Sequence, residues 1–141
     1  MPTTKTRAVV TDLLTRIGAG DPERIAELYG EDCDWKLNWP EAEHGRVDTP
    51  WIRQRASRSD TAAHYRALAE HHVPEQADTR IERILVDGAD AVVLGEIRQT
   101  SRDTGRAYTA RFALHLTVEG GLIVRNHIYE DSLAVAQAFA T

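Results

Sequence analysis

The sequence predicts an α+β fold, with helices first and a curved sheet after them. Three observations lead there. Apolar residues recur at helical spacing through the first thirty or so positions, a second helical stretch precedes Pro74, and from Thr79 onward the apolar period changes to two. The 141 residues suffice for one domain with a sizeable core and are too few for two. Residues 1–141 are therefore read as a single domain.

The first helix runs from Thr4 to Ala19, with Val9, Val10, Leu13, Leu14 and Ile17 on one stripe, and ends in Gly-Ala-Gly. In DPERIAELYG, Asp21 is a good N-cap and Pro22 occupies the first helical position; Ile25, Leu28 and Tyr29 form the apolar stripe. The two helices make a hairpin. CDWKLNW alternates as a half-buried strand, with Cys33, Trp35, Leu37 and Trp39 on one face and Asp34, Lys36 and Asn38 on the other. Prolines and a glycine make PEAEHGRVDTPW a loop. A third helix is expected from Ser59 or Asp60, carrying Ala63, Tyr65, Leu68 and Ala69 and stopping before Pro74. RIERILV, AVVLGEIRQT, AYTARFALHLTV and LIVRNHIYE follow as strands separated by DGAD, SRDTG and EGG, all turn chemistry that joins antiparallel neighbours.

Composition narrows the function classes. A formal net charge of −5 leaves no basic stripe to neutralise phosphates, and the arginines of IRQRASRSD sit among acids as a solvated loop, so nucleic acid is not an expected partner. No apolar run reaches the ~18 residues of a membrane span, and the N-terminus lacks a signal-peptide core, so a cytoplasmic protein is expected. The single cysteine, Cys33, alternates with core residues and reads as a core thiol. His64 and His71 lie two helical turns apart, too far to share one ion, and no HExxH, CxxC or phosphate-cradling glycine loop is present. Neither a metal nor a nucleotide cofactor is expected.

The order of helix hairpin, strand, helix and strand meander resembles the nuclear transport factor 2-like superfamily. AGDPERIAELYGEDCDW and EGGLIVRNHIYEDSLAVAQAF carry the likeness. Within that superfamily the chain is most similar to the SnoaL-like relatives of polyketide cyclases. The resemblance implies a cone-shaped sheet, mixed or antiparallel, wrapped around the hairpin and third helix, with a deep apolar pocket between them. It also implies a homodimer and, among the group's activities, a cyclase or isomerase. At the positions where steroid isomerases, epoxide hydrolases and phenazine-type relatives place catalytic groups, this chain has Leu13, Leu37, Ile97, Gln99 and Ile128. Neither steroid isomerase nor epoxide hydrolase activity is expected from that set.

Strand parity then assigns faces. Ala110, Phe112, Leu114 and Leu116 face the pocket, and Arg111, His115 and Thr117 the outer surface, where a dimer contact is expected from Arg98, Arg111, His115 and Tyr129. On the last strand Leu122, Val124, Asn126, Ile128 and Glu130 share the more apolar face. Asp131 has a structural explanation, since it or Ser132 would make a normal N-cap for the short terminal helix LAVAQAF. Glu130, a carboxylate at the rim of an apolar pocket, is the candidate acid or base, with His44 at the pocket mouth a candidate proton donor. Asn126 and Gln99 either donate to a ligand oxygen or satisfy each other; Trp35, Leu37, Trp39, Tyr65, Phe112 and Ile128 complete the walls. The expected function is a cofactor-independent cyclase or isomerase acting on a small hydrophobic, carbonyl-bearing, cyclic molecule. The alternatives are a non-catalytic binding protein or a dimerising interaction module on the same scaffold.

Overall fold

The computed structural model describes residues 2–36 and 57–139. The fold is α+β, as expected. Helices α1 (Pro2–Ala19) and α2 (Pro22–Ala26) lead into β1 (Tyr29–Lys36); α3 (Arg58–His71) precedes β2 (Asp78–Asp87), β3 (Asp90–Thr100), β4 (Ala107–Glu119) and β5 (Leu122–Glu130), and α4 (Ser132–Phe139) follows. The open, curved sheet has the order β1-β5-β4-β3-β2. The β2–β5 meander is antiparallel, while β1 joins β5 in parallel and makes the sheet mixed.

Local chemistry explains the boundaries. Asp21 caps α2, accepting from the Glu23 and Arg24 amides. Ser57 and Asp60 form a reciprocal capping box, so α3 begins at Arg58, one residue before the earlier of the expected starts. Gly120 and Gly121 both have positive φ (59° and 80°), which a two-residue hairpin between β4 and β5 requires. Tyr29 corrects the sequence reading: α2 ends at Ala26 and Tyr29 opens β1, four residues before the expected strand. The Arg58 guanidinium donates to the Tyr29 carbonyl at 2.8 Å and so ties α3 to this strand. In α3 the buried positions are Thr61, Ala62 and His64, whereas Ala69 is exposed.

One core cluster joins α1 and β1 to the concave face of the sheet, with Val10, Leu13, Tyr29, Trp35, Leu116 and Ile123 among its members. Cys33 belongs to it as a buried thiol, and burial pushes its pKa up to about 11. A second cluster packs Val135, Ala138 and Phe139 of α4 against Tyr108 and Ala110. The parity of β4 is as expected: Ala110, Phe112, Leu114 and Leu116 are all buried. The parity of β5 holds from Asn126 to Glu130 and breaks before it. The register passes from Thr117↔Arg125 to Val118↔Ile123, so Val124 is bulged out of the ladder and Ile123, not its neighbours, enters the core.

The convex face carries a polar network. Asp90 accepts from Thr117 Oγ1 (2.6 Å) and pairs with His115 Nε2 (3.0 Å), and Arg125 bridges Thr117 and Asp34. His115 is thus on the outer face, held by a carboxylate.

Gly95 is constrained by what covers it. A Cβ there would run into the Arg80 carbonyl and lie 2.9 Å from two ring carbons of Phe112. Gly95→Ala is therefore expected to destabilise the fold by about 1–3 kcal/mol, read as a fall of several degrees in Tm. An unchanged Tm would contradict this packing.

Candidate active site

Between the concave face of the sheet and helices α1, α3 and α4 the described residues enclose a cavity of about 160 Å³. Its lining is mainly aliphatic and aromatic, from Leu14 and Ile17 of α1 to Val135 of α4. Seven of the ten residues expected at the site line it: Trp35, Tyr65, Gln99, Phe112, Asn126, Ile128 and Glu130. Leu37, Trp39 and His44 lie outside the described residues. Four polar contributors were not anticipated, namely His64, Thr79, Tyr108 and, behind Tyr108, His72.

The register fixes the order of polar groups along the cavity. At one end Trp35 is paired with Asn126, which in turn pairs with Leu116. Glu130 lies four residues along β5 from Asn126, roughly 13 Å of strand, opposite Phe112. At the other end Gln99 of β3 is paired with Tyr108 of β4. Asn126 and Gln99 therefore do not satisfy each other, because β4 separates their strands. Each is instead committed to a tyrosine.

The Tyr29 hydroxyl donates to Asn126 Oδ1 at 2.7 Å, and the Tyr65 hydroxyl is hydrogen-bonded to that of Tyr29. Burial raises the pKa of both phenols, that of Tyr65 to about 12, so both remain neutral donors. At the other end His72 Nδ1 lies 2.7 Å from the Leu68 carbonyl and Nε2 lies 2.6 Å from the Tyr108 hydroxyl. Two proton arrangements satisfy this chain. With His72 protonated, Tyr108 accepts from it and donates to Gln99 Oε1 at 2.7 Å. With His72 neutral, Tyr108 donates to Nε2 and the Gln99 carboxamide turns its NH2 towards the phenol. Burial lowers the His72 pKa, which favours the neutral form.

Among the described residues Glu130 supplies the one carboxyl group in the cavity lining. Burial in these apolar surroundings, and secondarily the neighbouring charge of Asp131, raises its pKa to about 7. Asp131 itself turns away: its carboxylate accepts from the Ala134 amide at 3.1 Å and caps α4. Adjacent acids thus have separate roles, one structural and one facing the cavity. Among the described residues no three His, Cys, Asp or Glu side chains converge as metal ligands would.

This α+β architecture, with a cavity between sheet and helices, defines the nuclear transport factor 2-like class, and known structures agree. NTF2-like proteins of Burkholderia thailandensis (21% identity, TM-score 0.81, all of both chains) and Burkholderia xenovorans (19% identity, TM-score 0.79, 99% of both chains) share the fold. So does a protein of Rhodopseudomonas palustris provisionally assigned as an isomerase (18% identity, TM-score 0.70, 89% of this chain and 95% of that one). A search of curated proteins found no match. The SnoaL-like domain profile matches residues 10–126, and the chain belongs to that family.

The Glu130 carboxyl makes stability pH-dependent in a definite direction. Its proton is held more tightly in the folded chain (pKa about 7) than at the ordinary carboxylate value of 4.5, so stability is fully present below pH 4.5 and falls as pH rises towards 7. The loss amounts to roughly 3 kcal/mol. Glu130→Gln should gain stability relative to wild type across that window, measured as the difference between their urea midpoints at pH 5 and pH 8. A difference that does not change with pH would contradict the burial of this carboxyl.

Proposed function

We propose that the protein is a cofactor-independent enzyme of the isomerase or cyclase type, which moves a proton on a hydrophobic, carbonyl-bearing, cyclic metabolite. One observation carries this reading: among the described residues a single carboxyl, with its pKa raised to about 7, lies in a mainly apolar cavity that also presents neutral hydrogen-bonding side chains. The provisional isomerase assignments of the structural relatives from Rhodopseudomonas palustris and Bacillus subtilis support it.

In the proposed step the Glu130 carboxylate takes a proton from a carbon adjacent to, or conjugated with, the carbonyl. The C–H electron pair moves into the π system and the carbonyl oxygen becomes an enolate, which the neutral donors of the cavity stabilise. Glu130, now a carboxylic acid, returns the proton to another carbon and the carbonyl re-forms. The double bond moves in that case; in the cyclisation branch the enolate carbon instead closes a ring on a second carbonyl of the same molecule, whose oxygen takes the Glu130 proton and becomes a hydroxyl, and no electrons are exchanged with a partner. A carboxyl poised near neutrality suits both halves of this cycle.

A non-catalytic binding protein is the second reading. It is favoured by the side chains at the positions where related enzymes place acids, since Gln99 and Ile128 stand there and line the cavity.

Exchange of ring C–H for deuterium in D2O, followed by proton NMR on a panel of cyclic ketones, separates the two. Wild type should accelerate exchange of at least one panel member, and Glu130→Gln should lower that rate by about a hundredfold or more while its affinity changes little. Full activity in the variant would refute the role of Glu130. Binding without exchange in wild type would establish the second reading.

A further inference from the structure

Among the described residues the indole nitrogen of Trp35, which is buried, has no hydrogen-bond partner, although the residue lines the cavity and is only 3% exposed. An N–H donor withdrawn from water and left unmatched is unfavourable, and native structures rarely keep one without use. The surroundings do not relieve it. Tyr29 and His64 meet the indole through their rings, with centroids at 5.6 and 5.1 Å. Directly across the ladder stands Asn126, whose carboxamide oxygen already accepts from Tyr29 and whose amide nitrogen is therefore its remaining polar group. Two residues that carry N–H donors thus line the same end of the cavity.

From this arrangement we infer that Trp35 is a ligand-binding donor: with Asn126 it takes the carbonyl oxygen of a neutral, single-ring ketone. The inference rests on the proposed function and assigns that site its oxygen-binding end and its substrate size. Neutrality follows from the lining, which among the described residues includes no lysine or arginine to hold an anion and one carboxyl to repel it. Size follows from volume. The cavity bounded by the described residues holds about 160 Å³, and an aliphatic cavity of about 150 Å³ accommodates one benzene-sized ring, so a single ring is the matching size. The oxygen belongs at the Trp35 end because Gln99, at the other, is already engaged by Tyr108.

The test uses the full chain labelled with 15N and two probes of matching shape, cyclohexanone and methylenecyclohexane. Indole signals of Trp35, Trp39 and Trp51 are distinguished by Trp→Phe variants at each position. Both probes should bind, but the ketone alone should move the Trp35 indole proton downfield. Trp35→Phe, which keeps an aromatic ring, should weaken cyclohexanone about tenfold and the hydrocarbon less than about twofold. The wild-type indole shift decides the matter even if Trp35→Phe fails to fold. Ketone binding that leaves that signal in place, equal losses for both probes, or no binding of either would overturn the inference. Deuterium exchange keeps the two claims apart. A ketone-specific shift without exchange leaves the donor standing and refutes proton transfer, whereas Glu130-dependent exchange indifferent to Trp35 refutes the donor alone.

Discussion

Between Thr117↔Arg125 and Val118↔Ile123 the β4–β5 ladder skips Val124, and this one-residue bulge decides which β5 side chains face the helices. Strand side chains alternate strictly, so a continuous ladder that buried Ile123 would also turn Arg125, His127 and Tyr129 inward. The bulge resets the alternation. Ile123 fills the core below it, Asn126, Ile128 and Glu130 line the cavity above it, and Arg125 and His127 reach Asp34 on the convex face. One irregularity therefore keeps the charged half of β5 out of the apolar interior and turns the Glu130 carboxyl towards the cavity.

The electrostatics of the cavity follow from that placement. Most ionisable groups near it respond to burial by becoming or staying neutral: Tyr29, Tyr65 and Tyr108 are shifted up and His72 down. Tyr108 feels the Glu130 charge as well as burial. In such surroundings the proton of Glu130 is held near neutrality, while Asp131 spends its charge on the α4 amides. Among the described residues the pocket thus presents one carboxyl with hydrogen-bonding side chains at both ends, the kind of arrangement that the proposed stabilisation of charge on a bound carbonyl needs.

Much of this was legible in the chain. Period changes located the strands from β2 to β5, Asp21 and Asp131 announced their caps, and alternation on β4 gave the inward face directly. Glu130 was visible because it ended an apolar face. Tyr29 was not, since at helical spacing an aromatic that opens a strand looks like the last residue of a stripe. Nor could the sequence disclose His72, whose partner Tyr108 is 36 residues away and meets it only in the folded sheet. Ile123 was misassigned for a similar reason: a bulge leaves no periodic trace, so parity read backwards from Glu130 fails once it crosses Val124. Trp35 was recognised as a wall, but its orphan N–H emerges only when every neighbour is in place.

The most direct test of the central claim, that Glu130 is a cavity carboxyl poised for proton transfer, is a pH titration of its side-chain carboxyl carbon by 13C NMR in the folded protein, identified by its loss in Glu130→Gln. A midpoint close to 7 is predicted. A midpoint at the ordinary carboxylate value of 4.5 would place the group in water and contradict the proposed chemistry.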